Sequence, residues 1–426
     1  MNDIFFCNKY LIFTLFLLSP MIISIGGEVS PSFLFIALTT PFWIKYVNFK
    51  YDYILRNFVS LFLIIILVQL VWFPFAKTDD FTQIKGLLVT ISGLMHFMFY
   101  YFVFNRDKSL IKWAVLGSFI SGFIFVNSLA EIAGDEYGMW KFHIYPHIVK
   151  CCVLIYLWFC EEKRILNISP LLLIIVGFLG LFTGARSAGL VPLASGLFAL
   201  IIISRKKVIY PKQITKYVTI AITVLYAAYA LIYVPNVLNG KIEGGNTLQL
   251  KKTENPYNPL NLLLVGRTDA IVPFIAFTDK PLTGWGYMTR DPNKKYYRLL
   301  LNLGNQEEKR GIRSMKIESI PGHSILGYYA CSYGVIVLIA LSLILFKSWK
   351  YVVLSIVVRD KYMLYRLFGI MSVSWNFLFS PMPHFKSLQT SMLAIIVAMS
   401  LVAIKEYNKL YKYNESKNIS NNTNIR

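Results

Sequence analysis

The sequence predicts an all-α membrane protein, a polytopic bundle of about twelve transmembrane helices with one long, partly helical loop outside the membrane. Hydrophobic residues make up 56% of the 426-residue chain, and charged residues only 15%. The apolar residues fall in continuous runs of roughly 20, the length that spans ~30 Å of hydrocarbon. Backbone groups in lipid must be paired internally, so such runs form helices. A β-barrel would instead show alternating polarity.

The candidate spans divide into nine before the long loop and three after it. They cover residues 10–26, 31–46, 57–76, 84–104, 110–131, 145–160, 166–183, 187–204, 215–234, 323–346, 362–380 and 386–404. The predicted organisation is therefore nine helices in 1–234, the loop at 235–322, three helices in 323–404 and a disordered tail at 405–426. The first run lacks the cleavage site of a signal peptide, and a second span follows almost at once, so we expect a retained span.

Positive charge predicts the orientation of these spans. With both termini in the cytoplasm, the inward segments hold 24 Lys and Arg, whereas the short outward connectors hold five. This asymmetry places the long loop on the outer face of the membrane. The net charge of +21 is mostly a topology signal. It does not indicate nucleic-acid binding, because no basic stripe on a soluble domain carries it.

Metal and nucleotide chemistry find little support in the sequence. The five cysteines lie in or beside spans without metal-ligand spacing, so we expect core-filling residues, no disulfide and no zinc. His96 lies inside a span and is expected to be a hydrogen-bonded core residue. Pro146 interrupts any helix between His143 and His147, and His384 lies in a short outward turn. A P-loop, a Gly-x-Ser-x-Gly motif and an outward Asp-x-Asp pair are all missing, which favours a metal-independent mechanism without a cofactor.

One candidate residue lies in a very short turn between two apolar runs, Thr183-Gly184-Ala185-Arg186-Ser187. Charge at membrane depth is costly, so an arginine there pairs with another group or faces a water-filled cavity. The alternative is an arginine that extends to the headgroup phosphates. The small residues around Arg186 favour close helix packing and hence a buried site.

The long loop carries the other candidates. Residues 262–278 predict a helix with Arg267 and Asp269 near its start, which Lys280-Pro281 ends. The loop holds 13 Lys and Arg against 8 Asp and Glu, a balance that suits an anionic substrate such as a phosphate ester. Arginine's planar guanidinium binds phosphate oxygens well, although Arg267 could also be a solvated surface residue. His323 lies where the loop meets the tenth span, and an imidazole there can take a proton near pH 7.

Three motifs occur in a fixed order. A Thr-Gly-x-Arg-Ser turn at 183–187 precedes a Gly-Arg helix that runs to a Pro-Leu-x-Gly-x-Gly turn at 281–286, and His-Ser-Ile-Leu at 323–326 then leads to Tyr-Gly-Val-Ile at 333–336. The chain thereby resembles the O-antigen ligase and O-antigen polymerase superfamily of bacterial cell-envelope glycan enzymes. The motifs cover about residues 170–345, and the predicted topology covers the whole chain.

The resemblance implies a metal-independent glycosyltransferase in the bacterial inner membrane, with its site on the periplasmic face and both termini in the cytoplasm. The donor would be an oligosaccharide on undecaprenyl diphosphate, held in membrane lipid, and a chain-length regulator protein is a further possible partner. Arg186 and Arg267 match the family's arginines, which would bind the diphosphate and stabilise its charge. His323 matches the family's histidine, which would orient or deprotonate the acceptor hydroxyl.

Supporting roles around these three residues are expected for Thr183, Asp269, Gly284, Tyr287 and Arg290. The family often has His-Asn where this chain has His323-Ser324. We favour a polymerase, which adds the growing chain to a lipid-linked repeat unit. The motifs leave open a ligase, which transfers the finished chain to lipid A–core.

Two other classes of protein remain as alternatives. A transporter of lipid-linked glycan would also have many spans and intramembrane polar residues, but the chain shows no internal repeat and its long loop follows the ninth span. A structural scaffold would not need so many side chains suited to phosphate.

Overall fold

In the computed structural model of this protein, the described apolar runs of the sequence are mostly helical. The structure describes residues 3–24, 28–47, 49–75, 78–125, 139–159, 163–183, 185–204, 216, 219–220, 223, 226–227, 229–241, 250, 255–259, 261, 267–303, 319–320, 322–356, 358–380 and 388–423. Among them, the only paired strands are two short ones, β1 and β2, which form an antiparallel ladder that pairs Ile23 with Val29 and Ser24 with Glu28. The all-helical fold class predicted from the sequence is confirmed.

The α-helices, numbered in chain order, are α1 Asp3–Phe6, α2 Lys9–Leu17, α3 Pro31–Trp43, α4 Tyr53–Trp72, α5 Asp80–Arg106, α6 Ile111–Ile124, α7 Tyr145–Phe159, α8 Lys163–Phe182, α9 Arg186–Ser204, α10 Val234–Leu238, α11 Thr268–Asp279, α12 Lys295–Leu303, α13 Ile325–Tyr333, α14 Val335–Ile356, α15 Met363–Phe379 and α16 Leu388–Thr423. Short 3-10 turns cover Ile44–Tyr46, Phe73–Phe75, Lys108–Leu110 and Pro292–Lys294, and π-helical turns cover Trp140–Ile144 and Tyr229–Tyr233. The two strands are β1 Ile23–Ser24 and β2 Glu28–Val29.

Four helical segments within the described residues are long and apolar enough to cross a membrane, namely Tyr53–Phe75, Asp80–Arg106, Val335–Ile356 and Gln389–Lys409. The second and fourth are mostly buried and form the centre of the bundle, whereas the first and third lie at its surface. On α4, Leu63, Leu67 and Val71 are more than half exposed and share one face at helical spacing. These helices and their exposed apolar faces are compatible with a membrane protein.

The first predicted span, 10–26, is shorter in the structure. Helix α2 ends at Leu17, and β1 begins at Ile23. Pro20 cannot donate a backbone hydrogen bond, and its ring would clash with the preceding helical turn. Proline therefore ends a helix that hydropathy alone extends. The predicted ninth span, 215–234, is described only in part, and its last residues form the π-helical turn Tyr229–Tyr233 and the first residue of α10.

The C-terminal tail also differs from its prediction. The sequence predicts a disordered tail at 405–426, but α16 continues through Thr423. The buried segment up to Ala403 supplies the costly helix nucleus, so each further residue adds one hydrogen bond at little cost. The polar composition of the segment after Ala403 therefore did not prevent it from continuing the helix.

The predicted tenth span, 323–346, is two helices rather than one. Helix α13 ends at Tyr333 and α14 begins at Val335, with Gly334 between them in a left-handed conformation at φ 83°. A Cβ at Gly334 would lie 2.1 Å from the carbonyl oxygen of Leu282. The helix breaks because the turn after α11 packs directly against this glycine.

Candidate functional site

The candidate site forms where α11 and α13 begin side by side. The His323 backbone N–H donates to the Asp269 carbonyl at 3.2 Å, and His323 Nδ1 lies 3.3 Å from Asp269 Oδ2. Asp269 lies in the first turn of α11, where the helix dipole stabilises a carboxylate. The His323 side chain is 51% exposed, so a substrate can reach the imidazole.

Ser324 fixes His323 at the start of α13. The Ser324 hydroxyl accepts a hydrogen bond from the Gly327 backbone N–H at 3.0 Å and donates to the Phe377 carbonyl at 3.3 Å. Serine and asparagine are equally good N-caps. Ser324 therefore caps α13 as an asparagine at this position would, and Ser324 itself is fully buried.

Arg267 lies next to the same end of α15. It caps α11 with non-helical dihedrals (φ −139°, ψ 36°), so the described part of the predicted 262–278 helix begins one residue after it. The guanidinium carbon lies 5.9 Å from the ring centroids of both Trp375 and Phe379. Such cation–π contacts orient the guanidinium. They hold Arg267 at the end of α15, where the Phe377 carbonyl also accepts the hydrogen bond from Ser324.

Arg186 begins α9, which forms a close antiparallel hairpin with α8. A Cβ at Gly189 would lie 2.7 Å from the Gly177 carbonyl oxygen, and one at Gly180 would lie 2.8 Å from Gly189 Cα. The close packing predicted from the small residues around Arg186 is confirmed. Thr183 accepts a hydrogen bond from Trp140 Nε1 at 2.8 Å and stabilises the turn. The side chain of Arg186 lies outside the described atoms.

Helix direction places the start of α9 at the same end of the bundle as His323. Ser169 and Leu173, in the first half of α8, line a small cavity with Leu364 and Tyr365 at the start of α15. Farther along, the Ser195 hydroxyl of α9 lies 3.1 Å from Met371 Sδ of α15. The end of α8 and the start of α9 therefore lie toward the end of α15.

Gly284 lies at the opposite end of α13 from His323. Trp285 N–H donates to the Cys331 carbonyl at 2.8 Å, and Gly286 N–H donates to the Ser332 carbonyl at 2.9 Å. A Cβ at Gly284 would lie 2.4 Å from the Ser332 carbonyl oxygen. The nine residues of α13 separate this contact from His323 by roughly 14 Å, so Gly284 shapes the fold rather than contacting the histidine.

Tyr287 and Arg290 lie near the segment that leads into His323. Tyr287 is buried, and its ring packs edge-on against Tyr328. A Cβ added at Gly322 would lie 2.1 Å from Cδ2 of the Tyr328 ring. Arg290 is exposed and forms an isolated antiparallel bridge with Ser319. Tyr328 thus links Tyr287 to the residue before His323, a role that sequence reasoning did not find.

Charged residues at the far end of α11 serve a different purpose. Lys295 Nζ lies 2.5 Å from Asp279 Oδ2, and the Tyr296 hydroxyl donates to the same carboxylate. The hydrogen bond from Lys295, followed by that from Tyr296, lowers the pKa of Asp279. This ion pair attaches α12 to α11 and takes no part in the candidate site.

Sequence reasoning missed three supporting residues, Trp375, Phe379 and Tyr328. The signal for the first two was an aromatic pair four residues apart at the end of an apolar run, on one helix face. Within the part of the chain that the structure describes, no group of three or more His, Cys, Asp or Glu side chains could hold a metal ion.

No protein-family model matches this chain, and no curated protein matches it at a significant level. The resemblance to the O-antigen ligase and polymerase superfamily therefore remains a prediction, which rests on the order of the three motifs.

Proposed function

We propose that this protein is a membrane glycosyltransferase that polymerises surface polysaccharide from repeat units linked to undecaprenyl diphosphate. The observation that carries the proposal is the Asp269–His323 pair, with its half-exposed imidazole at the bundle end that also holds Arg267. A base, an orienting carboxylate and a phosphate-binding cation are the three groups that such a transfer needs.

The reaction begins at the acceptor hydroxyl. Asp269 holds a proton on Nδ1 of His323, which leaves Nε2 as the acceptor, the same orienting logic as in other carboxylate–histidine pairs. As Nε2 takes the hydroxyl proton, the acceptor oxygen attacks the anomeric carbon of the donor. The bond from that carbon to the diphosphate oxygen breaks, and its electron pair leaves with undecaprenyl diphosphate.

The arginines stabilise the departing group. Arg267 remains charged at every relevant pH, and its planar guanidinium can bind two phosphate oxygens at once. Arg186, at the start of α9, would supply a second cation from the turn between α8 and α9. Charge that develops on the diphosphate is thus met by groups already in position, without metal or cofactor.

The wider proposal includes twelve spans in the bacterial inner membrane, with both termini in the cytoplasm. The segment at 235–322 would then lie on the periplasmic face, where lipid-linked repeat units are presented. The excess of cations on inward segments supports this orientation.

A deletion strain tests the proposal through the pattern of its surface glycan. Loss of a polymerase leaves lipid A–core carrying one repeat unit, whereas loss of a ligase leaves bare core. The expected result is the one-repeat pattern. Bare core would show that the acceptor is lipid A–core, and an unchanged long-chain ladder would overturn both forms of the proposal.

A further inference from the structure

A second site lies at the other end of α13, in a cavity of about 130 Å³. The cavity lies between the end of α4, the start of α5, the 280–286 turn and the end of α13. Six of the side chains in its wall are polar, charged or aromatic, namely Gln69, Trp72, Gln83, Lys280, Ser332 and Tyr333. None of them contacts the Asp269–His323 pair in the described structure.

Three polar atoms in this wall are buried and make no hydrogen bond of regular geometry among the described residues, although Tyr333 faces the Gln69 side chain and Ser332 faces Tyr328. They are Gln69 Oε1, Ser332 Oγ and Tyr333 Oη, on side chains that are 4%, 2% and 3% exposed. Buried polar groups in folded proteins are nearly always paired, because an unpaired one keeps its full desolvation cost. Each of these groups has more hydrogen-bonding capacity than one neighbour can satisfy, so the cavity presents three polar groups with which a ligand can bond.

The surrounding fold holds these groups in place. Gln69 Nε2 donates to Thr90 Oγ1 at 2.9 Å, and Thr90 in turn bonds the Tyr329 hydroxyl at 3.1 Å. A Cβ at Gly86 would lie 2.4 Å from Tyr333 Oη, so glycine is needed for α5 to approach α13 this closely. The cavity wall is therefore built on helices and is already formed before a ligand binds.

The chemistry of the wall favours a neutral, hydroxyl-rich ligand. An amide oxygen accepts hydrogen bonds, while serine and tyrosine hydroxyls both donate and accept. Trp72 adds an apolar ring surface. The ammonium of Lys280 lies 4.1 Å from the centroid of the Trp285 ring, a cation–π contact that already engages its charge and disfavours an anion as the main ligand.

We infer that this cavity binds one monosaccharide ring of a neutral glycan. Sugar rings carry hydroxyls that donate and accept, together with an apolar C–H face, and thus match both kinds of wall. The inference rests on the proposed function for the source of the glycan. Because α13 joins the two sites over roughly 14 Å, an oligosaccharide that reacts at His323 is long enough to place a more distant sugar here.

Saturation-transfer NMR on the full-length protein in lipid nanodiscs tests this inference. The probes are the methyl glycosides of glucose, galactose, mannose and N-acetylglucosamine, with glycerol as the non-ring comparison. We expect transfer to the ring protons of at least one glycoside well above that to glycerol. Ser332→Ala removes one hydroxyl and should weaken binding about fivefold, the loss of one hydrogen bond.

Control variants separate binding at this cavity from structural damage. Gln69→Leu should also weaken binding, whereas Gln389→Leu should not, although Gln389 is another buried glutamine with an unpaired Oε1. Transfer no greater than that to glycerol for every probe would overturn the inference. So would equal binding by the wild type and Ser332→Ala, or displacement of the glycoside by inorganic phosphate.

The same measurements distinguish this inference from the proposed function. His323→Ala should keep glycoside binding while it loses polymer formation. If the wild type forms polymer but Ser332→Ala binds glycosides normally, the cavity inference alone fails. If glycosides bind as expected but His323→Ala still forms polymer, the proposed role of the histidine fails instead.

Discussion

His323 Nδ1 lies 3.3 Å from Asp269 Oδ2, and the backbone N–H of His323 donates to the Asp269 carbonyl. This double contact joins the start of α11 to the start of α13, two segments far apart in the chain. The carboxylate limits the imidazole to one orientation and leaves Nε2 available to a substrate. The proposed role of His323 as a base depends on this relationship.

Asp269→Asn should slow glycan transfer about 100-fold, within the range that a correctly held general base contributes. Asparagine keeps the size of the side chain but no longer stabilises a charged imidazolium or selects its tautomer. Transfer is measured with purified protein and lipid-linked repeat units extracted from the host. Asp279→Asn, at the other end of the same helix and paired with Lys295, is the matched control. Equal rates for the two variants would contradict the role of Asp269.

Arg267→Lys should raise the KM for the lipid-linked donor roughly ten- to a hundredfold, because hydrogen bonds to a charged group are lost. Lysine keeps the charge but lacks the planar guanidinium that stacks on Trp375 and Phe379 and binds two oxygens. Arg298→Lys, an exposed change on α12, controls for surface charge chemistry. A normal KM in Arg267→Lys would show that only the charge matters or that the donor binds elsewhere.

Gly334→Ala should destabilise the protein by more than roughly 3 kcal/mol, because left-handed strain adds to a steric clash. The new Cβ would lie 2.1 Å from the Leu282 carbonyl oxygen. Gly240→Ala is the control, since Gly240 has a similar φ of 72° with no atom within 4 Å and should cost only roughly 1–2 kcal/mol. Thermal unfolding in detergent compares the two, and equal melting temperatures would rule out the close approach at Gly334.

Arg366→Met should cost about 3 kcal/mol, the lower end of the penalty for breaking a buried ion pair, because Asp360 is 14% exposed and keeps Lys108 Nζ at 3.9 Å. Arg366 is fully buried, with Nη2 2.6 Å from Asp360 Oδ1 and Nη1 3.0 Å from Oδ2. The double variant with Asp360→Leu should lose less than the two single losses combined, because neither charge then remains. A double-mutant cycle on unfolding free energies measures this coupling, and strictly additive losses would contradict the pairing.

Hydropathy correctly predicted those helices that an apolar stretch of sequence is enough to specify. The span predicted at 57–76 overlaps α4, which ends just before Pro74, and the one at 362–380 nearly coincides with α15. A long apolar run has few alternatives to a helix in an apolar surrounding. The same reasoning failed at 10–26, where Pro20 ends the helix, and at 323–346, where the break depends on a distant contact.

In the candidate site, too, local sequence predicts single residues, whereas contacts between distant segments decide how they are arranged. Sequence motifs predicted His323 and Arg267 as candidates, and Asp269 was expected to support them. The pairing of Asp269 with His323 depends on how α11 packs against α13, where Gly327 lies against the Phe274 ring. No local pattern encodes that packing, and the contacts of Arg267 with Trp375 and Phe379 likewise come from a helix about 100 residues later.

Complementation of the deletion strain with His323→Ala is the most direct test of the central claim. The variant should insert and accumulate like the wild type, because the imidazole is 51% exposed and supports no core packing. We predict that its surface glycan stops at lipid A–core with one repeat unit. A full-length polymer ladder at normal protein levels would contradict the claim that His323 activates the acceptor.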